Sequence, residues 1–426
     1  MSAAIHYETD GYHVAHEKPM GRHFAGLGFL SALARHGSGE RAMGFVKNAR
    51  LGEEFRSTIN ELNPARTAGY ILPGNVAALK AIGCLYTPSP INARQTWFRE
   101  VQGARSWSLC GVNHTLSSAR AMEGLTELLT APVHPWDATI CTSTASKAVI
   151  RKLFERQADY LSRRLGAKRF VIPQLPVIPL GADCEAQAGL VGRRDEPGAA
   201  LGLKEGDVAV LFLGRLSFHA KANPAPMYLA LERLAARHSL VLIECGWTAN
   251  DQIAQAFAEA RATLCPSVRA ITLDGRLPEA RAKAWGAADI FCSLSDNIQE
   301  TFGLTPIEAM ASGLPVVVSD WDGYRDTVRD GVDGFSIPTL SARLEADAAW
   351  LSATPSRSIP TIPISARPRR PSWSTWTPRR RPSTASPPIR TSAAAWVEAA
   401  LPRLARSSAG RWSSGPMSAC GSNSAS

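Results

Sequence analysis

The sequence predicts an α/β protein built from two doubly wound, Rossmann-like domains, with an irregular C-terminal tail. Three observations lead there. From Val208 to Asp320, apolar runs of strand length alternate with amphipathic runs of helical length. The first 190 residues repeat that alternation less sharply. A chain of 426 residues is also long enough to bury two separate cores.

Residues 1–190 are assigned to the first domain. Within them, 106–110 and 138–143 read as strands, and 117–129 and 146–165 as helices. The polar, Gly- and Pro-containing stretch 189–207 reads as a linker or surface excursion. The second domain, residues 191–340, opens with strand 208–214. Helix 227–237, strand 240–246, helix 250–261, strand 270–275, helix 278–286 and strand 288–293 follow, then a short helix after Thr305 and strand 315–320. Strands that are apolar throughout are buried on both faces, so these predict a parallel sheet with crossover helices. Such sheets bind ligands beyond the carboxyl ends of their strands.

Residues 341–426 break the pattern. The last 76 contain 17 Ser, 11 Pro and 11 Arg with one acidic residue, Glu398. That composition buries too little apolar surface to offset the entropy of ordering, so disorder is expected. Arginine without lysine also resembles a GC-rich reading frame translated out of register, with a frameshift near residues 338–345. The segment carries the entire net charge of +10, and the first 350 residues balance at 36 basic and 36 acidic. The folded body therefore has no overall excess of positive charge for nucleic acid.

The eight cysteines form no C-x-x-C pair, which argues against a zinc site of common spacing. No basic-then-apolar leader opens the chain and no run of eighteen apolar residues occurs. A cytoplasmic protein with at most peripheral membrane association is expected.

Two constellations carry chemistry. In ETFGLTPIEAMASGLPVVVSD, residues 300–320, Glu300 and Glu308 are separated by seven residues. Thr305 is placed as N-cap, Pro306 as the first helical residue, and Glu308 as the third. The amides of Gly303, Leu304 and Thr305 then point out of the helix start as an anion site. Thr305 and Glu308 equally spell a capping box, which would occupy Glu308 with backbone amides alone. Gly313 is expected to end the helix. In FLGRLSFHAK, residues 212–221, a strand ends at Gly214 and is followed by Arg215 and Lys221. Two cations and a helix start could together neutralise a diphosphate without a metal ion. A solvated Arg and Lys in a loop is the plain alternative.

These segments resemble the group 1 (family four) glycosyltransferases, retaining enzymes of the GT-B fold in which two Rossmann-like domains face a cleft. The resemblance rests on VIPLGAD (177–183), GRLSFHAK (214–221), LDGRL (273–277), residues 288–323 and DGVDGF (330–335). It implies that Arg215 and Lys221 hold the donor diphosphate, that Glu300 contacts the donor sugar, and that Glu308 binds the ribose hydroxyls. Gly214, Phe302 and the amides of Gly303, Leu304 and Thr305 would lie close to the donor. In the first domain the resemblance puts Gly21 in a glycine-containing loop beside the donor phosphates and makes His114 a donor-contacting histidine. No cofactor is implied, because the UDP-, GDP- or ADP-linked sugar is itself a substrate; the acceptor is left open. The D-W-D at 320–322 resembles a metal-binding D-x-D, but it sits in a turn, where paired carboxylates usually cap amides or face water. A nucleotide-sugar epimerase of the same architecture is one alternative. A non-catalytic nucleotide-sugar binder is another, because the last helix of the GT-B fold is not recognisable in the tail.

Overall fold

The computed structural model describes residues 3–14, 17–190, 195–218 and 220–339. The tail predicted to be disordered or frameshifted lies outside the described residues. The chain divides into two compact units. The first holds residues up to Gly189 together with Ile298–Ser312 and Trp321–Arg329. The second holds Leu190–Asn297, Gly313–Asp320 and the chain from Asp330.

The first unit contains six strands: β1 (Ala4–His6), β2 (Arg41–Phe45), β3 (Thr67–Ile71), β4 (Cys84–Thr87), β5 (Ser108–Asn113) and β6 (Ala138–Cys141). They pair in the order β3-β2-β1-β4-β5-β6, all parallel. Parallel neighbours need crossovers, and the helices that supply them cover the sheet with Leu30, Phe55, Leu79, Ile150 and Phe154. Arg99 and Asp137 form a fully buried ion pair there. Asp137 also accepts from the amides of Leu109 and His134, so neither charge is stranded.

The second unit repeats the plan with β7 (Val208–Leu213), β8 (Leu240–Gly246), β9 (Arg269–Asp274), β10 (Ile290–Ser293), β11 (Val316–Asp320) and β12 (Gly334–Pro338). Its order is β12-β11-β10-β7-β8-β9, again all parallel. Every residue of β8 is buried, as a largely apolar strand covered on both faces requires. The one carboxylate in it, Glu244, is bonded to Tyr228 and Arg261. In both sheets the order reverses beside the first strand, between β1 and β4 and between β7 and β10. These reversal points are where doubly wound sheets open a crevice at their carboxyl edge.

Two expectations about organisation change. The stretch predicted as linker contains the helix Asp195–Ala200, which packs on the helix Pro278–Ala287 through the buried Gly198. Its Gly and Pro disguised a single short turn of helix. Segments 298–312 and 321–329, placed by sequence in the second domain, pack with the first unit, for reasons visible in their hydrogen bonds below. Among the described residues, no helix is long and apolar enough to cross a membrane.

Candidate functional site

In the second unit the basic pair emerges at the reversal point. Strand β7 ends at Leu213, and the loop Gly214–Lys221 turns tightly. The Ser217 carbonyl accepts from the amides of Lys221 (2.9 Å) and Ala222 (3.2 Å). Arg215 donates from Nη2 to the Ala220 carbonyl at 3.0 Å, which bends its guanidinium back over the same loop. The loop after β10 grips this turn from the other side. Ser295 Oγ and Asn297 Nδ2 both donate to the Lys221 carbonyl, at 2.8 and 2.6 Å. Lys221 is thus fixed through its backbone, and its side chain runs past Gly214, whose Cβ would lie 3.3 Å from Lys221 Cε.

Beside this loop lies a cavity of about 290 Å³ lined by Leu216, Trp247, Thr248, Asp274 and Arg276, among others. Its floor is backbone. The Gly214 carbonyl sits where a Cβ on Gly246 would be, at 2.0 Å, so only glycine permits the approach. Leu216 N donates to the Trp247 carbonyl and Gly275 N to that of Gly246, both at 2.9 Å. Arg276 forks onto Asp274, with Nη2 2.7 Å and Nε 2.9 Å from carboxylate oxygens. That fork holds the Asp274 carboxyl below its usual range. The sequence flagged LDGRL only as a matching piece. Trp247 and Thr248 were missed, because nothing local marks a tryptophan after a buried strand as a pocket wall.

In the first unit the segment Gln299–Gly303 is stitched to the carboxyl edge of the sheet. Thr301 Oγ1 donates to the His114 carbonyl at 3.1 Å. Thr142 Oγ1 donates to the Thr301 carbonyl at 3.1 Å, and Ser117 Oγ to Gln299 Oε1 at 3.2 Å. Thr144, at the start of the helix Thr144–Leu165, gives its amide and hydroxyl to the Asp326 carboxylate, at 2.5 and 2.7 Å. Thr142 and Thr301 are both buried. These bonds explain why the Glu300 loop groups with the first unit and bring Glu300 into one bonded segment with His114. Burial, with Arg22 adding to it, pushes the His114 imidazole down to about 4, so it is neutral at physiological pH.

Replacing Thr301 by valine leaves the His114 carbonyl without its donor. Turnover should fall about tenfold, and the melting point by a few degrees. Thr301→Ser should retain most activity. Equal turnover in the Val and Ser variants would show that the hydroxyl does not position the loop.

Thr305 is not the N-cap. The short helix runs Leu304–Ala311 and Gly303 caps it, at φ +90°. Thr305 Oγ1 is buried and finds no hydrogen-bond partner, so the alternative of a capping box does not form. The reason is Tyr324, fully buried, whose ring would meet a Cβ on Gly303 at 2.2 Å. Only glycine fits beside that ring, and its left-handed φ turns the chain into helix two residues early. Pro306 becomes the third helical residue and Glu308 the fifth, one turn inside the helix. Pro306 has no N–H, so the amides that the start offers are those of Gly303, Leu304 and Thr305. Gly313, at φ +74°, follows the last turn as expected. Phe302 is 3% exposed, so its ring belongs to the interior and only its backbone borders the loop. Gly21 is the first residue of the helix Gly21–His36 and not a loop residue; a Cβ there would meet nothing within 4 Å.

The D-W-D segment divides. Asp320 ends β11, whereas Asp322 turns with the first unit at φ +42°, the one left-handed non-glycine among the described residues. Its neighbour Gly323 donates to the Glu300 carbonyl at 3.0 Å. Burial, reinforced by the charge of Glu300, pushes the Asp322 carboxyl up to about 7. Sequence alone could not show this, because the burial and the nearness of Glu300 arise only in the fold.

Residues 194–352 match the family model for "Glycosyl transferases group 1". Over 201 residues the chain is 35% identical to the D-inositol 3-phosphate glycosyltransferase of Nocardia farcinica, covering 46% of this chain and 42% of that one. It is 28% identical to the phosphatidyl-myo-inositol mannosyltransferase of Mycobacterium tuberculosis, over 52% of this chain and 56% of the relative. The chain thus spans about half the length of the curated relatives it matches. The fold is similar to that of Anabaena Alr3699/HepE, solved in complex with UDP. The TM-score is 0.55 at 16% identity, covering 86% of this chain and 93% of that one.

Proposed function

For a chain whose residues 194–352 match the group 1 glycosyltransferase model, we propose transfer of a sugar from a nucleoside diphosphate donor, with retention of anomeric configuration and without a metal ion. The observation that carries this is the pairing of Arg215 and Lys221, at the reversal point of the second sheet, with the cavity walled by Trp247, Asp274 and Arg276. A cavity of about 290 Å³ suits a nucleoside, and the two cations suit its phosphates.

As the glycosidic bond breaks, negative charge grows on the leaving phosphate. Arg215 and Lys221 stabilise it, and the amides of Gly303 to Thr305 add partial positive charge. Glu300 accepts from hydroxyls of the transferred sugar, and Glu308 from the ribose. The departing phosphate takes the acceptor's proton, so no separate base is required. Neutral His114 contributes a hydrogen bond and not a charge. The Anabaena protein was solved with UDP, which makes uridine the first base to test. The inositol-bearing acceptors named for the relatives are the first acceptors.

The test is incubation of the full chain with UDP-, GDP- and ADP-sugars and inositol-type acceptors in the presence of a chelator, reading product configuration by NMR. Transfer with the donor's anomeric configuration kept is expected. Donor turnover without any glycoside product would instead indicate an epimerase, and an inverted product would refute retention.

A further inference from the structure

The helix Thr144–Leu165 and the chain that follows it carry an exposed basic and apolar surface that the transfer chemistry does not use. Residues 147–172 contain eight basic side chains, namely Lys147, Arg151, Lys152, Arg156, Arg163, Arg164, Lys168 and Arg169, against Glu155 and Asp159. The first 350 residues as a whole are charge-balanced, so this is a local concentration. None of the eight forms an ion pair with a described carboxylate.

The spacing is ordered. Ser146, Ile150, Phe154 and Leu161 face the core. Val149, Lys152, Arg156, Tyr160 and Arg163 recur every three or four residues, so they line one outward stripe. Val149 is 44% exposed and Tyr160 52%. Past Gly166, which ends the helix in the left-handed region, Lys168 and Arg169 continue outward beside the exposed Val171 and Ile172, and Leu165 is 70% exposed.

We infer that this surface docks the protein on an anionic lipid bilayer, the basic side chains meeting headgroup phosphates and Val149, Tyr160, Leu165, Val171 and Ile172 entering the interfacial layer. Unpaired cations alone would suit any polyanion. Interleaved exposed aliphatic and aromatic side chains suit a bilayer, where long basic side chains reach up to phosphates while their stems and neighbours lie in the apolar boundary. Residues 351–426 carry 11 Arg and one acidic residue, so they share the sign of this surface and do not complement it.

The test is co-sedimentation of the full chain with vesicles of phosphatidylcholine alone and of phosphatidylcholine mixed with phosphatidylglycerol. Binding is expected only to the anionic vesicles, weakening as salt is raised. Joint replacement Lys152→Glu, Arg156→Glu and Arg163→Glu should weaken it about a hundredfold at an unchanged melting temperature. Tyr160→Ser should weaken it without changing the salt dependence. Should the triple variant melt early, Lys168→Glu with Arg169→Glu, beyond the helix, is read in its place. Undiminished binding by the variants would overturn the inference and assign vesicle binding to the arginine-rich tail. Failure to bind anionic vesicles, with retention of a duplex DNA oligonucleotide, would overturn it in favour of a nucleic-acid surface.

Discussion

Replacing Lys221 by alanine is expected to lower the rate of sugar transfer by about a thousandfold while leaving the melting temperature nearly unchanged. The two halves of that expectation come from different atoms. The amide and carbonyl of Lys221 carry the loop, accepting from Ser295 and Asn297 and donating to Ser217, and alanine keeps all three bonds. The ammonium is the part assigned to the leaving diphosphate. A positioned group facing charge that develops in the transition state is worth about 3–4 kcal/mol, or a factor of roughly 10²–10³. Because that charge grows as the bond breaks, the loss should fall mainly on kcat. Steady-state kinetics with thermal melting checks it. A variant with normal kcat, or one that loses activity only because it unfolds, would remove Lys221 from the transition state.

The second large effect is expected at Gly303. Alanine there must hold a φ of +90° and place its Cβ 2.2 Å from the ring of Tyr324, which is itself fully buried. The left-handed backbone costs about 1–2 kcal/mol and the overlap about 1–3 more, since a buried ring cannot move without disturbing its neighbours. A fall of several degrees in melting temperature should accompany loss of most transfer activity, because the same residue sets the helix start. Differential scanning calorimetry beside an activity assay reads both. Unchanged stability would mean that the turn adapts and that its geometry is not dictated by Tyr324.

How much of this was legible in the sequence depended on whether a local signal matched the force at work. β7, β8, β10 and β11 could be read directly, because a strand buried on both faces leaves a dense apolar run such as Val208–Leu213. β1 to β4 span only three to five residues and include His6, Gly44 and Gly69, so their apolar signal is short and interrupted. The acid, glycine and basic residues of the candidate site stood out by type and spacing. The start of the short helix did not, because Thr-Pro is a sound local start signal and the glycine two residues earlier prevails only through Tyr324, twenty-one positions downstream. Thr142 and Thr301 are ordinary residues whose role appears once their hydroxyls meet carbonyls far away in sequence. The same holds for Asp322, whose displaced titration depends on burial and then on Glu300.

The central claim is that the carboxyl edge of the second sheet binds a nucleoside diphosphate. A crystal structure of the full chain with UDP, or with whichever base binds tightest in solution, tests it most directly. The diphosphate should lie against the side chains of Arg215 and Lys221, with the base in the cavity beside Trp247 and Arg276. Phosphates bound elsewhere, with that loop and cavity left empty at saturating nucleotide, would contradict the account.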